Sequence, residues 1–450
     1  MEPDRDIRPF LLFLLITIII VCAGLFTPLR EKIEFRIDDL KSRLFYMRSD
    51  PSGTLFVPGQ SNAPTADQLS IEATISQFIT EPAPTETPVL PSPTATFEAV
   101  TTEPTATEIP TNTPEPTETP EPLPDRYFIT GVKYETQHGI WNYCAPTNLS
   151  MAMTYWGWRG QRTDIGPKVK PFNKDKNVMF YELEEYVSEY SDLRSLVRPG
   201  GTAELMKRLI VKEYPVLIEK GSFMQEVNGR YSWMGHYNVV TGYDDAAQEW
   251  TVQDSYYTAD YKVSYETLEE EWQSFNHQFM VVYPGAREGD VYSILGPYTN
   301  SNWANNNALK MADAQIEAAE TPEEYFYAYF NRGTSQIELS DFYGAAQSYD
   351  MAYTYYPDIE QNRRPYRIVW YQTGPYYAYY YCGRYYDVIA LAETTLASTA
   401  EPYLEESHYW RAMAYKALGE IEKAHDDLDM CIQLHPGFTA CEGLLYELGY

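Results

Sequence analysis

The chain has 450 residues, enough for two or three domains, because single cores stop growing near ~250–300 residues. Its 44% hydrophobic and 22% charged content is ordinary globular composition, with an unusual 41 tyrosines. A formal net charge of -30 excludes a nucleic-acid binder, since phosphate recognition needs a basic footprint, and the five sparse cysteines (Cys22, Cys144, Cys382, Cys431, Cys441) imply no disulfide framework.

After a tail at residues 1–9, residues 10–26 (FLLFLLITIIIVCAGLF) carry no charge and approach the ~17-residue lower limit of a membrane-spanning helix. The following Thr27-Pro28-Leu29-Arg30 lacks the small residues of a signal-peptidase site, and Val21 before Cys22 does not suit a lipoprotein signal. An uncleaved transmembrane helix is therefore predicted. Residues 27–50 read as a juxtamembrane helix, with Ile33, Ile37, Leu40, Leu44 and Met47 at alternating steps of four and three. That stripe suits a short parallel coiled coil, which would make a homodimer, and equally an amphipathic helix lying on the bilayer.

Orientation draws on two opposed signals. Arg30, Lys32, Arg36, Lys41, Arg43 and Arg48 follow the span, which by the positive-inside bias puts the C-terminal side in the cytoplasm. Residues 51–125 contain no Lys or Arg and repeat Thr, Pro and Glu, so they predict a disordered, self-repelling linker. Thr/Pro stalks of this kind hold domains away from cell surfaces. Weighing the stalk above the charge bias predicts a single-pass cell-membrane protein with an extracytoplasmic body.

Residues 126–290 form the first folded domain, and the chemistry lies there. Cys144-Ala145-Pro146 opens a run with apolar residues at helical spacing (Leu149, Met151, Ala152, Met153, Tyr155, Trp156) closed by Gly157. Pro146 suits a first helical turn, so Cys144 sits at a helix N-terminus, where the dipole and unsatisfied N–H groups stabilise a thiolate. The same N–H groups can receive an oxyanion, with the Gln137 amide as a second donor. His236 begins His-Tyr-Asn-Val-Val-Thr-Gly-Tyr, a strand; a turn cluster and Trp250-Thr251-Val252-Gln253-Asp254 follow. The pair reads as an antiparallel hairpin that, folded about Asp245–Ala246, brings Asp254 nearly opposite His236. The carboxylate would then orient the imidazole. His138 is a weaker candidate base near Cys144, and His277, beside a terminal strand, reads as structural. No His/Cys/carboxylate set shows metal-ligand spacing, and the chemistry requires no cofactor.

This set resembles the C39-like, papain-like cysteine peptidase family. The matching pieces are Gln137, Cys144-Ala145-Pro146, Gly235-His236-Tyr237-Asn238-Val239-Val240-Thr241-Gly242-Tyr243-Asp244 and Val252-Gln253-Asp254-Ser255, with Pro215-Val216-Leu217-Ile218-Glu219 similar to the central strand before the histidine. Two positions depart from the family pattern: Ala145 stands where Gly is usual, and Ser255 where Pro is usual. The resemblance implies an α+β peptidase domain with Cys144 as nucleophile, His236 as base, Asp254 orienting it and Gln137 in the oxyanion hole.

After a polar, Asn-rich joint at residues 296–307, residues 308–450 are helical and repetitive. Gly333, Ala345, Tyr349, Ala352 and Pro357 stand at the same offsets as Ala412, Ala424, Leu428, Cys431 and Pro436, with a middle unit at Gly383, Tyr385, Val388, Ala392 and Leu396. Small residues at matched offsets let paired helices approach. The pattern resembles the tetratricopeptide repeat, which implies an all-α surface for a substrate or protein partner.

The whole reads as a membrane-anchored thiol peptidase acting on a peptide or protein substrate. Two other readings remain open: a catalytically silent C39-like module presenting the repeats as a scaffold, and an acyl transferase or amidase using the same three residues.

Overall fold

The structure, a computed structural model, describes residues 29–59, 122–172, 175–226 and 229–449. The expected span at 10–26 and most of the stalk lie outside these residues, and no described helix is long and apolar enough to cross a membrane. The chain is mixed α/β: a sheet domain is followed by a helical C-terminal region.

Seven antiparallel strands make one sheet: β1 (Arg126–Phe128), β2 (Leu193–Arg198), β3 (Val216–Gln225), β4 (Tyr231–Asp244), β5 (Glu249–Gln253), β6 (Tyr261–Ser264) and β7 (Phe279–Pro284). Their order is β2-β7-β3-β4-β5-β6, with β1 added on β4. Strand side chains alternate between faces, and both faces of the centre are buried. Val216 and Ile218 of β3 meet a core that includes Leu205, Leu209, Leu268 and Trp272. Leu217, with Tyr237 and Val239 of β4, meets the opposite core of Leu149, Ala152, Ile165 and Leu183.

That second core belongs to the helix α1 (Cys144–Tyr155), flanked by α2 (Arg162–Val169) and α3 (Phe180–Tyr190). Residues Ala145 to Met153 of α1 are all buried, so it is an interior helix rather than an amphipathic one. On the other face lie α4 (Ala203–Val211), N-capped by Thr202 Oγ accepting from Leu205 N at 3.1 Å, and α5 (Tyr265–Gln273).

Three sequence expectations are corrected here. The joint at 296–307 is structured: α6 (Glu288–Leu295), a short 3-10 turn and the start of α7 (Ser301–Ala318) bury Val291, Leu295, Tyr298 and Ala304 in the sheet domain's core. The polar Asn residues misled because Asn300 is a helix cap, accepting from Trp303 N at 2.9 Å. The linker does not begin at residue 51. Phe56, 5% exposed, inserts between Tyr353 and Tyr379 of the repeats, at ring-centroid distances of 4.8 and 5.9 Å. Lastly, Cys431 and Cys441 form a disulfide, a pairing that an odd count of sparse cysteines had hidden.

The helical region builds antiparallel pairs: α8 (Pro322–Glu338) with α9 (Phe342–Tyr355), α10 (Gly374–Tyr381) with α11 (Tyr385–Ala397), and α12 (Glu405–Ala417) with α13 (Ile421–Leu434), closed by α14 (Thr439–Glu447). The matched small residues sit at the contacts. A Cβ on Gly333 would come within 2.8 Å of the Tyr349 ring, so only glycine permits that approach. Ala345, Ala352, Ala412 and Ala424 are fully buried.

The helix preceding all of these, αN (Leu29–Arg48), lies within residues 27–50. Its apolar stripe faces outward: Ile33, Ile37, Leu40 and Leu44 are 44–56% exposed and Met47 77%. Asp38, Ser42, Phe45 and Tyr46 are half-buried instead.

Candidate active site

Cys144 is the first residue of α1, and its thiol is half-buried. The imidazole of His236 and the backbone N–H groups of Tyr237 and Ala145 favour its thiolate. Burial raises a thiol's pKa, but the imidazole and these N–H donors outweigh it and hold Cys144 below its ordinary range.

His236 lies within β4, opposite Lys220 of β3. Its Nε2 donates to Asp254 Oδ1 at 2.9 Å, and both side chains are almost wholly buried. Burial disfavours the imidazolium, yet the Asp254 charge and the sulfur raise its pKa to about 9. Asp254 Oδ1 also accepts from the backbone N–H of Tyr256 (2.9 Å) and Tyr257 (3.1 Å). Burial works against this carboxylate, but His236 and the Lys220 ammonium prevail and hold it well below the usual carboxylate range.

The hairpin reaches this arrangement by a route subtler than simple opposition. β4 and β5 pair Asp244 with Glu249 and Gly242 with Thr251; then a bulge at Thr241 shifts the register, so Val240 meets Val252 and Val239 meets Gln253. Continuing that register sets Asp254 beside Asn238, two residues from His236 and on the same face. Without the bulge, Asp254 would oppose Val239 and point to the other face.

Gln137 enters the same cluster. Its Oε1 accepts from Ser255 Oγ at 2.7 Å, and its N–H donates to the Ser255 carbonyl at 2.9 Å. With the amide oxygen engaged, the NH₂ end remains as a donor. Asn148, one turn along α1, reaches Cys144 O (2.9 Å), Tyr237 O (2.8 Å) and Ser255 Oγ (2.9 Å) with Nδ2, tying helix tip to strand. His138 instead lies 2.8 Å from the Tyr256 carbonyl, and His277 pairs with Glu269 at 2.7 Å.

An imidazole held by a buried carboxylate, with a thiol of lowered pKa near it, can serve acyl-transfer chemistry. Residues 129–280 match the Peptidase_C39 like family. Residues 406–437 match a tetratricopeptide repeat. Among solved structures, a proposed C39-like peptidase from Bacillus anthracis is similar at 17% identity and a TM-score of 0.29, covering 35% of this chain and 96% of that one. The comparison with curated proteins returned no match.

Within the C39-like domain the two departures have structural consequences. Ser255, in place of proline, supplies the hydroxyl that orients Gln137. Ala145, in place of glycine, is buried, and its N–H still favours the Cys144 thiolate. Sequence reasoning missed Lys220, a buried cation paired with Glu271 at 2.5 Å, although its place one residue after the quoted Pro215–Glu219 strand was a usable signal. It also missed Tyr371, whose ring would lie 3.0 Å from a Cβ on Gly235, the residue before His236. Tyr371 ends a short helix of the repeat region, Ile368–Tyr371, and no local pattern connects it to the thiol.

Proposed function

We propose that this chain is a cysteine peptidase in which Cys144 attacks the substrate carbonyl, His236 moves the proton and Asp254 orients His236. The observation that carries this reading is the buried His236–Asp254 hydrogen bond at 2.9 Å, with Cys144 at the tip of α1 and its thiol pKa lowered by His236. The thiolate adds to a peptide carbonyl, and the resulting oxyanion is held by the Cys144 backbone N–H and the Gln137 amide. The imidazolium then protonates the departing amine, leaving a thioester. Water, deprotonated by His236, hydrolyses that thioester and restores the thiol. The repeats, lying against the same sheet domain, would receive substrate or a partner protein.

The body is read as extracytoplasmic, held to the cell membrane by residues 10–26. The Cys431–Cys441 disulfide supports an oxidising compartment. The outward apolar stripe of αN, directly after the expected span, supports contact with a bilayer surface. Sedimentation of the detergent-solubilised full chain separates this from pairing of two stripes in a homodimer.

The test is alkylation by iodoacetamide at about pH 6, below a free thiol's pKa, with hydrolysis of a diverse peptide library by native and Cys144→Ala protein. Labelling confined to Cys144 and turnover absent from Cys144→Ala are expected. An inert Cys144 would instead favour the silent binding module.

A further inference from the structure

Bordered by Tyr371, whose ring packs against Gly235 next to His236, lies a cavity of about 160 Å³ whose walls come from four parts of the chain. Trp141 and Asn142, just before Cys144, form one side, and Met234, just before Gly235-His236, forms another. Trp370 and Tyr371 of the repeat region close it from above. The remaining wall is αN, through Ser42 and Tyr46. Residues two positions before Cys144 and two before His236 thus line this cavity, but eight of its thirteen lining residues lie outside residues 129–280.

Its chemistry is aromatic with internally paired charge. Arg367 pairs with Glu226 at 3.1 Å, donates to the Trp233 carbonyl at 3.1 Å, and lies 5.1 Å from the Trp370 ring and 5.6 Å from the Tyr46 ring. Lys41 of αN bridges Asp38 (3.8 Å) to Glu401 (3.3 Å) across the rim. The Lys176 ammonium rests 5.8 Å from the Trp370 ring. With these ions engaged, an entering group meets ring faces and the Met234 thioether together with the polar Ser42 and Asn142. An apolar cavity of roughly 150 Å³ is large enough to hold benzene.

We propose that this cavity is a substrate subsite accepting one neutral, aromatic or large aliphatic side chain next to the cleaved bond, and that αN and the repeats set this preference. The inference rests on the peptidase reading and adds that specificity is written outside the peptidase domain. Tyr371 also borders a second cavity of about 510 Å³.

The full chain is tested with a mixed peptide library, with cleavage sites read by mass spectrometry, for native protein, Ser42→Trp, which fills the cavity, and Tyr46→Ala, which opens it. The native protein should enrich Phe, Tyr, Leu or Met at one position flanking the cleaved bond by about 10-fold or more. Ser42→Trp should reduce that enrichment at least about fivefold, and Tyr46→Ala should shift it toward larger side chains. Cys144-dependent cleavage without enrichment, or enrichment unchanged in both variants, overturns the subsite while leaving the peptidase reading intact. Absence of any Cys144-dependent cleavage overturns both.

Discussion

Two regions reach the thiol, and they do so by different means. The β4–β5 hairpin delivers His236 and Asp254 through local pairing, in which one bulge decides the face each side chain takes. The helical region delivers Trp370 and Tyr371 through docking: Arg367 donates to Ser232 and the Trp233 carbonyl, Gln372 to the Ser274 carbonyl at 2.7 Å, and Asn331 to the Gln273 carbonyl at 2.7 Å. Trp233 and Phe275 of the sheet domain stack at 5.8 Å inside the repeats' own core. Reacting groups are thus set by short-range register, which tolerates almost no error. The walls around them are set by long-range packing, which can change while the chemistry stays.

The sharpest way to break the comparison is at the hairpin. His236→Ala should lower peptide hydrolysis by about 10⁴-fold, and Asp254→Asn by about 10²-fold or more, measured as kcat/KM. Inserting one alanine between Gln253 and Asp254 touches none of the three side chains but sets the carboxylate opposite Tyr237, on the other face, and should cost at least about 10²-fold in kcat/KM. Deleting Thr241 closes the bulge while Val240 still meets Val252 and Asn238 still lies beside Asp254, so it should retain the pairing. Equal activity of the insertion and native proteins would show that register is not what matters.

Smaller effects are expected where packing dominates. Phe56→Ala should lower stability by about 3 kcal/mol in urea unfolding, since it empties a site between Tyr353 and Tyr379. Replacing Cys431 and Cys441 with serine should cost about 2 kcal/mol, with iodoacetamide labelling of Cys144 unaltered.

A pH dependence is also expected. His236, raised to about 9, contributes stability that is full below its unfolded value near 6.5 and is lost as pH rises through about 9. Hydrolysis should decline over the same upper range as the proton donor disappears. Glu182, pushed up to about 8 by burial, adds a loss of the same sign between about pH 4.5 and 8, because the folded state holds a proton that the unfolded chain releases. Glu182→Gln should flatten that lower part of the stability profile and leave the decline above it.

Much of the site was legible because it is local. Pro146 two residues after Cys144 marks a helix start, and the runs around His236 and Asp254 alternate as strands must. The opposed pair was anticipated, but the turn alone predicts the wrong parity; a bulge at Thr241 leaves no composition signal, since threonine is an ordinary strand residue. In the repeats, Gly333, Ala345 and Ala412 were readable as contact points because close helix packing demands small side chains. Phe56 was not readable, because a single aromatic beside a disordered tract has no periodicity to distinguish it from linker.

By itself, then, the amino-acid order determined the helix tip bearing Cys144, the strands bearing His236 and Asp254, and the helical pairs, all consequences of steric and hydrogen-bonding rules acting over a few residues. Only the tertiary structure decided that αN and the repeats wall the cavity bordered by Trp141, Asn142 and Met234, that Lys220 backs Asp254, and that Cys431 meets Cys441. Those contacts depend on which surfaces bury one another across long stretches of chain, and burial is a property of the assembled fold rather than of any segment within it.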